Sequence, residues 1–313
     1  ESGGNSVAPI AMVDPTIRPS KVDRASDVTG LVDTGELGTL FPNPADAVAV
    51  MESMAVLTHR KHGAVQTMVA TDADIKRFNK CGYVKSAYLA ERFTDRSALD
   101  PGADPLIVGP GGIWTQAEYN SDGEFRKTAA VMKMVIDGNA GAGTIQMGGF
   151  DYHTGERATG EMRDIRAGEC IGACLEYAAR RGRPLMVYVF SDGSLSSNGM
   201  LDNSANGRGK GVWTGDNQAT AASLMLVHNP GGPVPMRQQG DGTPKRQIGW
   251  YTADGAVATT SHPGANAVNL LVEEVVLNYL ALHGRQGEMQ THFPNHGLGA
   301  NLDNLIAFGQ VSV

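Results

Sequence analysis

The sequence predicts an α/β fold, a mostly parallel sheet flanked by helices and led by a long extended N-terminal arm. Three observations carry that expectation. A short apolar run at Thr144–Met147, a long helical pattern at Glu161–Arg181 and an uninterrupted apolar run at Pro184–Phe190 follow one another in the order of a βαβ unit. A further apolar run at Ala222–His228 and a strong helical pattern at Ala265–His283 extend the order. The composition suits a folded chain: of 313 residues, 41 % are hydrophobic and 19 % charged.

The elements can be justified in turn. Residues 1–45 are rich in Pro, Asp, Ser, Thr and Gly with little periodicity, which predicts an extended arm and leaves 46–313 as a single α/β domain, best defined over 144–285. Behind the Asn43–Pro44 start signal, Ala47, Val48, Met51, Met54, Ala55 and Leu57 recur at helical spacing as far as Arg60. Lys85–Phe93 and Gly123–Ile136 also predict helices, and the proline- and glycine-rich Asp100–Gly112 between them predicts a loop. Pro184–Phe190 has the apolar continuity of a strand buried on both faces. The Gly, Ser and Asn content of Leu195–Gly215 predicts a long loop, and Gln247–Ala258 a hairpin turning at Asp254–Gly255.

Composition excludes some functions. The 33 acidic and 26 basic residues leave a net charge of −7, with no Lys/Arg run beyond a pair, so no nucleic acid partner is expected. No apolar run approaches the roughly 20 residues that span a bilayer; Leu270–Leu282 is too short and carries Glu273 and Glu274. The chain opens at Glu1 without a basic-plus-apolar leader, and the expectation is a mature or trimmed product. The three cysteines are too few for a disulfide framework; Cys170 and Cys174, four apart, share a helix face and read as small apolar residues more readily than as a zinc or redox pair. The 40 glycines, close to double the usual ~7 %, have no Gly-X-Y period and serve turns and close approaches.

In a βαβ unit both strands open their carboxyl ends on one edge of the sheet, where ligands bind in open α/β folds. Gly-Gly-Phe-Asp-Tyr-His at 148–153 and Ser-Asp-Gly-Ser at 191–194 would emerge there. Asp151 and His153, two apart on extended backbone, would project together as oxygen and nitrogen ligands, joined by Asp192 and, from the following loop, Asp216. Turn formation explains the same residues without a metal. His59 and His62 suit a helix C-terminus, while His292, His296 and the Gly207–Gly211 loop with Arg208 and Lys210 read as exposed surface.

The three motifs together, with Thr-Gly-Asp-Asn-Gln at 214–218 as the third, resemble the carboxyl half of an uncharacterised family of exported bacterial proteins related to sulfatases and alkaline phosphatases. That family has Gly-Phe/Trp-Asp-x-His, Ser-Glu-Phe-Gly-Arg and Gly-x-Asp-His in these places. The resemblance implies an alkaline-phosphatase-like core, an extracytoplasmic location and a divalent metal (calcium, zinc or manganese) held by Asp151, His153, Asp192 and Asp216. The departures point away from catalysis: Asp192 replaces the family's glutamate, Gly193-Ser194 its Phe-Gly-Arg, Asn217 its histidine, and no Gly-Gly-x-Asp strand precedes residue 144. They favour a non-catalytic structural or assembly subunit at the cell surface, self-associating into a homo-oligomer, filament or layer. The alternative is an exported metal-dependent hydrolase of phosphate or sulfate esters.

Overall fold

The computed structural model describes residues 22–30, 40–41, 43–92, 96–150, 157–190, 195–205, 207–216, 223–253 and 257–311. The chain divides into two compact units, residues 1–145 and 146–313.

The first unit is helical. Within the stretch predicted as an extended arm, α1 spans Ala25–Gly30 and buries Val28 against Leu99 and Ala130. The helix α2, Pro44–Ala64, begins where the sequence places it: Asn43 caps it by accepting from the Ala45 amide, and Pro44 occupies the first turn, where no intrahelical donor is needed. His62 lies in the last turn of α2, in keeping with the dipole. The helix α3, Asp72–Arg92, starts well before the predicted Lys85 because the first half of it carries few apolar residues and shows no clear stripe in sequence. The turn between them is tied by Asp72, whose carboxylate accepts from the Thr67 amide and hydroxyl and pairs with Lys76 at 2.6 Å. Those bonds, Lys76 first, hold the Asp72 carboxyl below its ordinary 3.8, at about 2. The tie is therefore complete above the ordinary carboxylate range and is lost as pH falls toward 2.

A second group in this unit is built on α4, Gln116–Ser121, and α5, Gly123–Ile136. Thr115 and Glu118 form a reciprocal capping box at the start of α4, and Asp122 caps α5 through the Glu124 amide. Trp114 stacks on Phe125 with 5.3 Å between ring centroids. Lys133, buried on α5, lies 2.6 Å from Asp104 and 3.1 Å from Asp137. Removing the cation would leave two largely buried carboxylates facing each other, so Lys133→Met should cost about 3 kcal/mol of stability, read as an earlier urea midpoint.

The second unit overturns the predicted mostly parallel sheet and its alkaline-phosphatase-like core. A long helix, α6, spans Arg157–Arg180, and β1, Leu185–Val189, follows it as expected. The third expected strand is also present, as β4, Leu224–His228, but it runs antiparallel to β1, with Leu185 opposite His228 and Val189 opposite Leu224. Between them β2, Leu195–Asp202, and β3, Lys210–Asp216, form a separate antiparallel pair in place of the predicted loop. Parallel pairing requires a crossover, usually helical, that returns the chain to its starting end. The 34 residues from 190 to 223 have no helical period, and the chain doubles back through β2 and β3 instead. Thr144–Met147 forms no strand; it is four residues long and hemmed by Gly141, Gly143, Gly148 and Gly149, which weaken a strand by leaving nothing to pack. Of the predicted hairpin at 247–258, the Tyr251–Val257 bridge is present, and the turn residues 254–256 lie outside the described residues.

The core of this unit is organised by α7, Val268–Leu282. Leu277 and Ala281 pack against Met289, Leu298, Leu305 and Ile306, and Leu282 joins Ala307, Phe308 and Val311. Met186 of β1 with Met225 and Val227 of β4 lie against this second group, so the two-stranded sheet is anchored through alternate residues.

Candidate functional site

The four residues predicted as metal ligands do not form a described site. Asp151, His153 and Asp192 lie outside the described residues, and Asp216 closes β3 with its side chain undescribed. The parallel edge that was to bring them together is replaced by two antiparallel pairs. Among the described residues no group of three or more His, Cys, Asp or Glu is placed to hold a metal ion. Lys210, at the start of β3, pairs with Glu161 of α6, His292 with Glu288, and His296 with Gln290.

The buried polar centre of the second unit is a different constellation, built on α7. Residues 270, 274, 277, 278 and 281 share one helix face, which places Glu274 and Asn278 among Leu270, Leu277 and Ala281 in the interior. The Glu274 carboxylate lies 2.8 Å from His262 Nδ1 and accepts from the Gly264 amide at 3.0 Å. Around it, burial pushes the Tyr188 phenol up, opposed by its bond to Ser223 and reinforced by the Glu274 charge. Burial likewise pushes the Lys245 ammonium down, with Glu274 opposing.

A carboxylate orienting an imidazole is the backing half of a general base. At Gly249, φ +78°, an added Cβ would stand 2.5 Å from His262 Cδ2 and 3.0 Å from Nε2, so the Gly249 backbone lies close against that edge of the ring, and the His262 side chain is 13 % exposed. The same helix ties the chain's last segment: Asn278 Nδ2 donates to the carbonyls of Glu274 and Leu305, and its Oδ1 accepts from the Ala307 amide. The arrangement fastens the 262–264 turn and the 305–307 segment to α7.

The cysteine pair is likewise structural. Cys170 and Cys174 are both buried thiols on α6, neither of them in a disulfide, and burial pushes the Cys174 thiol up to about 12. Below that value the reactive thiolate is scarce. Alkylation at pH 8 followed by peptide mass mapping should leave Cys174 unmodified in the native protein and modified in denaturant; native modification would contradict its burial.

The exposed candidate is the α2–α3 hairpin. The two helices pack on one another, and Ala47 of α2 and Ala87 of α3 are buried. Nine large apolar side chains between residues 54 and 88 remain exposed, among them Val56 at 52 %, Val84 at 59 % and Met68 at 91 %. Val56, Ala55, Val84 and Tyr88 line a groove of about 580 Å³ along the pair. In sequence α2 shows as Ala47, Val48, Met51, Met54, Ala55 and Leu57 at helical spacing. The missed signal is that Met54, Ala55, Val56 and Leu57 are consecutive and cannot all lie on one face, which marks a helix apolar on more sides than its hairpin partner covers.

Comparison with protein families, with curated proteins and with solved structures finds no match to this chain.

Proposed function

We propose that this protein is a non-catalytic assembly subunit of the cell surface that self-associates through the α2–α3 hairpin. The observation that carries the reading is the run of exposed apolar side chains on that hairpin. Among the described residues the two helices fully bury only Ala47 and Ala87 while nine large apolar side chains of the hairpin stay exposed, and a second layer is what such helices need. Contiguous exposed apolar surface of this kind marks protein contact sites. The non-catalytic part draws support from the departures at Asp192, Gly193 and Asn217. The cell-surface location rests on the family resemblance alone.

Light scattering on the full chain over a dilution series tests the reading. The mass should be a multiple of 33.0 kDa at high concentration and fall toward the monomer on dilution. A 33.0 kDa species at every concentration would contradict it.

A further inference from the structure

Resting on that reading, we infer that the partner is a second copy of the chain docked antiparallel across the groove, hairpin on hairpin about a two-fold axis. The argument is the placement of charge along the groove. Its lining includes two acidic residues, Glu52 from α2 and Glu91 from α3, two basic ones, Arg60 from α2 and Lys80 from α3, and His59 of α2. The helices run in opposite directions from the turn at 65–71, so Arg60, four residues before the end of α2, and Lys80, eight after the start of α3, both lie toward the turn. Glu52 and Glu91 lie toward the open end. At 1.5 Å per residue, Glu52 and Arg60 are separated by about 12 Å along α2, and Lys80 and Glu91 by about 16 Å along α3. The groove is therefore basic in its turn-side half and acidic in its open half, with the apolar Ala55, Val56, Val84 and Ala87 interspersed among the charges. Among the described residues none of Glu52, Arg60, Lys80 and Glu91 forms an ion pair within the chain.

A surface with this pattern is complementary to itself in one orientation. Turned by 180°, a second hairpin sets its basic end on the first one's acidic end, and the reverse contact follows by symmetry. Parallel docking would set Arg60 and Lys80 on their own copies, and Glu52 and Glu91 likewise, a like-charge arrangement that costs affinity. The two-fold contact closes at a dimer, so a filament or layer would need a second surface.

Three variants of the full chain, compared by sedimentation with helix content checked by circular dichroism, test the orientation. R60E/K80E makes the groove acidic throughout and E52K/E91K makes it basic throughout; each should weaken dimerisation by about tenfold or more at low salt. The quadruple variant exchanges the two ends and should return to within about threefold of the wild type. Doubles that dimerise like the wild type, or a folded quadruple variant that stays weak, would overturn the antiparallel arrangement while leaving hairpin association standing. Loss of that wider reading would show itself separately, as a wild-type chain that is monomeric throughout.

Discussion

Glutamate at both Val56 and Val84 should turn the self-associated protein into a monomer. Each valine is more than half exposed within the chain, at 52 % and 59 %, so neither substitution removes packing that the hairpin itself depends on, and glutamate is a better helix former than valine. The protomer should keep its helix content and melting behaviour. In the proposed assembly both positions would face the second copy, and each would bury an unpaired carboxylate there, twice over by symmetry. A loss of about 3 kcal/mol or more raises the dissociation constant about 100-fold. Val272→Glu supplies the comparison, because Val272 is equally exposed, at 56 %, on α7 of the second unit and should leave association unchanged. An assembly indifferent to the Val56 and Val84 changes would move the contact elsewhere.

The second large effect concerns stability alone. Asn278→Ala should lower the melting temperature of the second unit by about 6 to 12 °C, equivalent to about 3 kcal/mol. Asn278 is fully buried and is bonded through both ends of its amide to the 305–307 segment. Truncation leaves the Leu305 carbonyl and the Ala307 amide buried without their partner, and it opens a hole beside Leu277 and Ile306. Asn278→Asp, which retains the acceptor for the Ala307 amide and loses the donor to Leu305, should fall between the two. A shift of about 1 °C or less for Asn278→Ala would mean the segment is held by the apolar contacts of Leu305 and Ile306 without help from the amide.

How far the sequence carried these conclusions differs by element. The helices with a clear stripe or a start signal were legible: α2 from Asn43–Pro44, α5 from the pattern at Gly123–Ile136 and α7 from the pattern at Ala265–His283, although the helix itself begins three residues later, at Val268. The strands β1 and β4 were legible as apolar runs, yet their pairing was not. Direction is set by the connection, and a glycine- and serine-rich connection gives no local sign of whether the chain will cross over or double back. The expectation of a parallel sheet came from assuming a partner strand at 144–147, which the surrounding glycines do not support. In the sequence Glu274 registers only as a charge interrupting the Leu270–Leu282 apolar run, and its burial was not read. Its partner His262 stands twelve residues away, before the helix, and only the fold brings the two within 2.8 Å. The hairpin face was hidden because α3 lacks a strong stripe of its own, so the pairing that defines the groove could not be read from either helix.

The central claim is that the α2–α3 hairpin is the surface on which copies of this chain meet. Hydrogen–deuterium exchange of the full chain, followed peptide by peptide at high and low protein concentration, tests it directly. Protection across residues 44–92 should rise with concentration, strongest around Val56 and Val84, while α5 and α7 stay unchanged. Exchange across the hairpin that is the same at every concentration, or a rise confined to other elements, would contradict the account.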